Sequence, residues 1–391
     1  MDTPPRVAFT QTQASVLLDL IRALAALLVC LEHWRNLIFV DYHQLAAHHA
    51  LFFVPYLLCG AGHQAVVIFF VLSGYLISGS IFRMVERNTW NWKLYLTHRL
   101  VRLWIVLVPA LLLGAALDLS GIRLNLAPAL YAGMTGTHML GNIPASLNLK
   151  TFAGNLFFLQ GILTPTLGSN TPMWSLANEF WYYLLFPCAF FGLRKGSPVA
   201  SRVVCAIVFV AAFWFVGLSI RVMFPIWLLG TLLAVVPAPR IRPALIPAAG
   251  IVYGLVLFFL AKGGRISGVA SDYILGVATF LFLWMLLSKK EAAPDRAWGR
   301  ASRTGARFSY TLYLVHVPFV VLVFAAMAKG ARWQPTPVHL AIALLVLIAV
   351  ITYAYLVACV TEFRTDEVRK WVESLAFGKT MGLRRSSSAA P

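Results

Sequence analysis

Long apolar runs alternate with short polar connections along almost the whole chain. Ten of them approach the roughly 20 residues that an α-helix needs to cross a hydrocarbon layer. They lie at about 15–34, 63–82, 101–119, 174–192, 201–218, 222–237, 243–261, 270–288, 308–328 and 338–360. The run 152–163 is apolar but too short for a crossing of its own. It predicts a re-entrant or interfacial segment, or an eleventh span thickened by its neighbours, and 45–60 leaves the same choice open. The pattern therefore predicts an all-α polytopic membrane helix bundle of about ten transmembrane helices, with one short extra or re-entrant segment. Residues 1–14 and 361–391 flank a membrane domain at 15–360.

Composition supports the lipid reading. Hydrophobic residues make up 60% of the 391 positions and charged residues 12%, about half the roughly 25% of a soluble domain. A globule in water could not cover itself with so little polar surface. The formal charge of +18 first suggests a nucleic-acid partner, but the basic residues sit in short loops between apolar runs, where they set topology. Nucleic acid is accordingly not an expected partner; the lipid bilayer is. Lys and Arg concentrate on the side of the two termini, at 83–102, 194–202, 240–242, 289–307 and 364–385. This predicts a multi-pass protein of the cytoplasmic (inner) membrane with both termini in the cytoplasm. An eleventh full crossing between 120 and 173 would scramble that asymmetry. The first run has only Arg6 ahead of it and carries Asp19 and Arg22, so it reads as a retained helix, not a cleaved signal. The polar end after residue 378 reads as disordered. The 5 cysteines show no CxxC pair and read as small buried hydrophobes.

Ionisable side chains inside spans cost a few kcal/mol each and mark function by default. The first span holds Asp19, Arg22, Glu32 and His33. Arg22 and His33 share one face, roughly 16 Å apart along the axis, and Asp19 stands one turn before Arg22, where it can pair with it. Arg99 and Arg102 open the third span at i, i+3. Guanidinium forks there suit the phosphates of a cytosolic donor, and positive-inside anchoring is the alternative. In TPMWSLANEFWYYLLFP, the carboxylate of Glu179 lies among aromatics at the depth expected for His33. The two together could move a proton to or from a hydroxyl. Ser73, Gly74 and Tyr75 lie where small residues let backbones approach closely, and Tyr310 and His316 lie in SYTLYLVHVPF. His43, His48, His49 and His63 lack the companions and spacing of a metal site, so no metal is expected.

In order along the chain, LDLIRALAALLVCLEH, FFVLSGYLIS, RLVRLWIVLVP, WSLANEFWYYLLFP and SYTLYLVHVPF resemble the acyltransferase-3 family of membrane acyltransferases over about 15–360. The resemblance implies transfer of an acyl group, often acetyl, from cytoplasmic acyl-CoA as co-substrate to a hydroxyl of an extracytoplasmic or lipid-linked carbohydrate. That is O-acetylation of the kind that modifies polysaccharides. It also implies that Arg22 and His33 are the essential pair of the first helix, His33 being the base and Glu179 its orienter or proton partner. Arg99 and Arg102 would hold the phosphates of CoA. Asp19, Glu32, Ser73, Gly74, Tyr75, Trp174, Ser175, Tyr310 and His316 would support the site. Some members carry a fused hydrolase-like domain after the membrane part; here only about 30 residues follow the last span. The rival reading is a transporter or flippase of a glycan or small metabolite, which predicts flux without a CoA requirement.

Overall fold

A computed structural model describes residues 12–135, 139–242, 244–262, 268–289, 291–293 and 297–377. The described chain is built of helices: α1 (Gln13–Ile38), α2 (His49–Cys59), α3 (Gly62–Glu86), α4 (Trp92–Arg123), α5 (Pro128–Tyr131), α6 (Ile143–Ser146), α7 (Leu149–Leu156), α8 (Trp174–Leu193), α9 (Val199–Phe215), α10 (Gly217–Val235), α11 (Leu245–Ala261), α12 (Val269–Leu286), α13 (Ala297–Ala328), α14 (Pro337–Val360) and α15 (Thr365–Phe377). Each of the ten apolar runs has its helix. By length and composition, seven stretches could cross a membrane: Gln13–Ile38, His49–Glu86, Trp92–Arg123, Gly217–Val235, Val269–Leu286, Ala297–Ala328 and Pro337–Ala376. The apolar helices α9 and α11 are shorter, and α8 has 20 residues. The protein is an all-α polytopic membrane bundle.

The two ambiguous segments resolve into short elements. Residues 45–60 hold α2, 11 residues long, and 152–163 holds the end of the 8-residue α7 followed by turns. Eight residues rise only about 12 Å, so this segment is no crossing. It belongs to the connection between α4 and α8. Two helices also begin earlier than their apolar runs suggest: α4 at Trp92 and α13 at Ala297, each 32 residues long. Hydropathy marks only the apolar part of a helix. The polar first turns of α4 are helical because Asn91 caps them, its Oδ1 accepting from Leu94 N at 3.1 Å. The expected disordered end after residue 378 and most of the N-terminal segment 1–14 lie outside the described residues.

Helix α1 packs along α13, α13 also against α4 and α14, and α3 against α10. The α3–α10 crossing depends on two glycines. A Cβ on Gly74 would lie 2.0 Å from the Trp227 carbonyl oxygen, and one on Gly230 would lie 2.0 Å from the Val71 carbonyl oxygen. Backbones this close are what small residues permit where helices associate by packing. Tyr75 belongs to the same crossing through its backbone nitrogen, which faces Gly230.

Prolines inside helices free carbonyls that must find donors in a medium without water. Pro187 in α8 cannot bond back to Tyr183, and the hydroxyl of Tyr95 on α4 donates to that Tyr183 carbonyl at 2.9 Å. Pro318 in α13 likewise leaves the Leu314 carbonyl, which receives Nδ2 of Asn170 at 2.7 Å. Both bonds tie neighbouring segments to the helices that carry the candidate residues.

Candidate active site

Five helices close around a cavity of about 290 Å³. Arg22 enters from α1, Ser73 from α3, Arg99 and Arg102 from α4, Ser175, Glu179 and Tyr183 from α8, and Tyr310 and Tyr313 from α13. Residues far apart in sequence and singled out one by one thus share one chamber. Asp19 stands outside it and pairs with Arg22 at 3.6 Å, the expected i, i+3 contact.

The two arginines of α4 are not equivalent. Arg102 donates to Oε1 of Glu362 at 2.5 Å. The other oxygen of Glu362 takes the backbone N–H of Thr311 at 2.9 Å and its hydroxyl at 2.8 Å. This buried carboxylate, just past the end of α14, neutralises Arg102 and joins α4 to α13. The sequence reading missed Glu362; the signal was an acid directly after the last apolar run. Arg99 has no carboxylate at ion-pair distance among the described residues. It donates to Ser80 Oγ at 2.9 Å, stands over the rings of Tyr95 and Tyr183 at 5.3 and 5.8 Å, and keeps a buried Nε without a partner. Aromatic faces hold a guanidinium without cancelling its charge. Of the proposed clamp, only Arg99 has a guanidinium free for an incoming anion.

Among the described residues no hydrogen bond or ion pair joins Glu179 to His33, the pair that the depth argument expected. Glu179 accepts a hydrogen bond from the Tyr183 hydroxyl and lies within electrostatic reach of Arg102, Arg22 and Arg99. The physical reason is where α8 begins. Pro172 and Met173, which lead into it, are already buried, so the helix starts beneath the α4–α8 connection and not at the surface. Glu179, five residues in, is about 7 Å deeper still and sits at the level of Arg22.

The partner of His33 is His316. Nε2 of His316 lies 3.0 Å from Nδ1 of His33, and Nδ1 of His316 lies 2.8 Å from the Leu312 carbonyl. A carbonyl can only accept, so in the neutral ring His316 carries its proton on Nδ1 and accepts through Nε2. His33 must then donate from Nδ1 to His316, and the Val29 backbone lies within hydrogen-bonding reach of the same ring. The Nε2 of His33 is left with a bare lone pair, the form a general base requires. His316 is fully buried, while His33 keeps partial exposure.

Neither imidazole lines the chamber. Between them and it stands Tyr313, a lining residue whose ring lies 6.3 Å from that of His316. Its hydroxyl donates to the Pro172 carbonyl at 2.7 Å and receives the hydroxyl of Ser175 at 2.6 Å.

The remaining candidates have structural partners. Glu32 caps the start of α3 through the backbone N–H groups of Gly62 and His63. His63 bonds Asp272 at 2.7 Å and stacks on Trp174 with ring centroids 6.4 Å apart. Ser73 accepts from the indole of Trp227 at 3.1 Å. Among the described residues, no group of three or more His, Cys, Asp or Glu side chains could hold a metal ion.

Comparison with known proteins places this arrangement. A family profile described as Acyltransferase domain matches residues 16–356. An uncharacterized protein of Haemophilus influenzae is 27% identical over 124 residues, which are 31% of this chain and 46% of that protein. The matched segment thus spans about half the length of that relative. No solved structure matches the chain. With the profile running across nearly the whole bundle, including every helix that contributes to the chamber, the chain belongs to the acyltransferase-3 family of membrane acyltransferases.

Proposed function

We propose that the protein moves an acyl group, acetyl by preference, from cytoplasmic acyl-CoA to a hydroxyl of an extracytoplasmic or lipid-linked carbohydrate. The observation that carries this reading is the division of labour along α1. Arg22 opens into a positively charged chamber, and His33, roughly 16 Å along the same helix, presents a base whose tautomer is set by His316.

In this reading the donor enters at the Arg99 end and its acyl arm extends through the chamber, past Phe69, Phe70 and Leu103. Arg22 and Arg99 hold negative charge there, with Glu179 limiting the excess. The Tyr313–Ser175 pair closes the far end, and the thioester passes it to reach His33. The acceptor hydroxyl gives its proton to His33 Nε2 as its oxygen attacks the thioester carbonyl. The C–S bond breaks, the thiolate leaves toward the Arg99 end, and His33 returns the proton to it. One O–C bond forms, one S–C bond breaks, and no redox change occurs. On this account Glu179 is an electrostatic and hydrogen-bonding element of the donor chamber, not the partner of the base.

Sealed membrane vesicles test this directly. With acetyl-CoA labelled in its acetyl group and supplied only at the cytoplasmic face, label should appear in a membrane glycan at the opposite face when the protein is present. Labelling that needs no CoA donor, or substrate flux without labelling, would favour a transporter instead.

A further inference from the structure

A second cavity, of about 280 Å³, lies where α3 turns into α4. Ser80 and Arg99 line both this cavity and the large chamber, so the two spaces meet at their hydrogen bond. Arg83 and Arg87 bring two further guanidiniums from the last turns of α3, where i, i+4 spacing puts them on one face. The reversal at Asn88, with φ of 53°, and the Asn91 cap then fold α4 back alongside and set Arg99 opposite them. His98, also in the wall, is held by Glu373 of α15. No described carboxylate stands at ion-pair distance from Arg83, Arg87 or Arg99. Charges that only set topology point singly into headgroups or water. Arg83 and Arg87 are exposed at the mouth, yet both line the same hollow as Arg99, which keeps a buried N–H without a partner.

We infer that this cavity is an anion subsite formed by Arg83, Arg87 and Arg99 that takes the phosphate groups of the donor's nucleotide end. The donor's arm then passes the Ser80–Arg99 bond into the chamber. The inference rests on the proposed acyl-CoA reading and assigns the phosphates to this mouth, because Arg102 is already neutralised by Glu362. Three guanidiniums in fork geometry suit phosphate oxygens. An anionic lipid headgroup has the same chemistry. The shared wall at Ser80 and Arg99 favours a ligand that occupies both spaces at once, as a nucleotide with a long acyl arm does.

The test uses the full chain in nanodiscs made only of phosphatidylcholine. Adenosine 3′,5′-bisphosphate binding is measured first, with no acyl transfer required. The wild type should bind it in competition with acetyl-CoA, and R83Q/R87Q should weaken both by about tenfold or more. Acetyl transfer from S-acetylpantetheine, which lacks the nucleotide, should be the same in both proteins, and this shows that the variant is folded. Equal bisphosphate binding in wild type and variant would overturn the subsite. So would an equal loss with S-acetylpantetheine, or an effect of the substitutions seen only with phosphatidylglycerol, which would assign the cavity to lipid. Bisphosphate binding as expected with no transfer from any donor would instead count against the proposed reaction. R87Q alone serves if the double variant does not accumulate.

Discussion

His316 accepts a hydrogen bond from His33 and does not donate one to it. The Leu312 carbonyl, 2.8 Å from His316 Nδ1, accepts a hydrogen bond from the only N–H the neutral ring carries, and the His33 contact at 3.0 Å must run the other way. Replacing His316 by Ala should therefore leave donor KM near the wild-type value and lower kcat by about ten- to a hundredfold, the scale of a mis-set general base. His316→Gln can donate to Leu312 and accept from His33 and should recover part of the loss. A purely structural role would show as reduced membrane accumulation, with normal kcat per folded molecule.

Glu362 satisfies three donors at once: Arg102, and the Thr311 amide and hydroxyl. Glu362→Ala leaves a guanidinium in a largely apolar setting without its partner. Arg102 keeps 32% of its side chain exposed, so the cost is about 1–3 kcal/mol, the scale of a buried group left without its hydrogen-bond partner. The thermal midpoint in detergent should fall clearly for Glu362→Ala and less for Glu362→Gln, which keeps an acceptor. An unchanged midpoint for the alanine variant would remove Glu362 from this role.

The glycine crossing gives a graded prediction. Gly74→Ala puts a Cβ 2.0 Å from a carbonyl oxygen, which no side-chain adjustment relieves, so α3 and α10 must separate. The variant should fail to accumulate in membranes. Gly254→Ala, where nothing lies within 4 Å of the new Cβ, should match or exceed the wild type, because alanine is favoured over glycine in a helix by up to about 1 kcal/mol.

On the opposite end of the bundle, Asp41 joins two connections. Burial pushes its carboxyl upward, but the hydrogen bond and charge of Arg332, with Arg35 and His43, hold it below the usual range. A depressed folded value means that this stabilisation is complete above the unfolded value of about 3.9 and is lost as pH falls through the folded one. Melting temperatures measured from about pH 7 down to pH 3 should fall more steeply for the wild type than for Asp41→Asn. The variant should start lower at neutral pH and show a flatter acid limb.

Ten helices were legible in the sequence because lipid forces each crossing to be a long, nearly uncharged run, and no tertiary context overrides that demand. Arg22, Arg99 and Arg102 were legible as candidates for the same reason: a charge in such a run is conspicuous. Their partners were not. Depth along a helix can be counted, but rotation about its axis and the point where α8 begins cannot, so Glu179 was expected beside His33 and lies instead with Arg22, Arg99 and Arg102. Glu362 escaped notice because its contact with Arg102 depends on how the chain turns after α14. Arg83 and Arg87 read as topology signals until the α3–α4 turn placed them in a cavity wall.

The central claim is that His33 handles the acceptor's proton during acyl transfer. The most direct test is the initial rate of label transfer from acetyl-CoA to glycan in membranes carrying equal amounts of wild type and His33→Ala. Loss of a general base lowers such a rate by about a hundredfold or more, and that is the predicted result. A variant that transfers label at the wild-type rate would contradict the account.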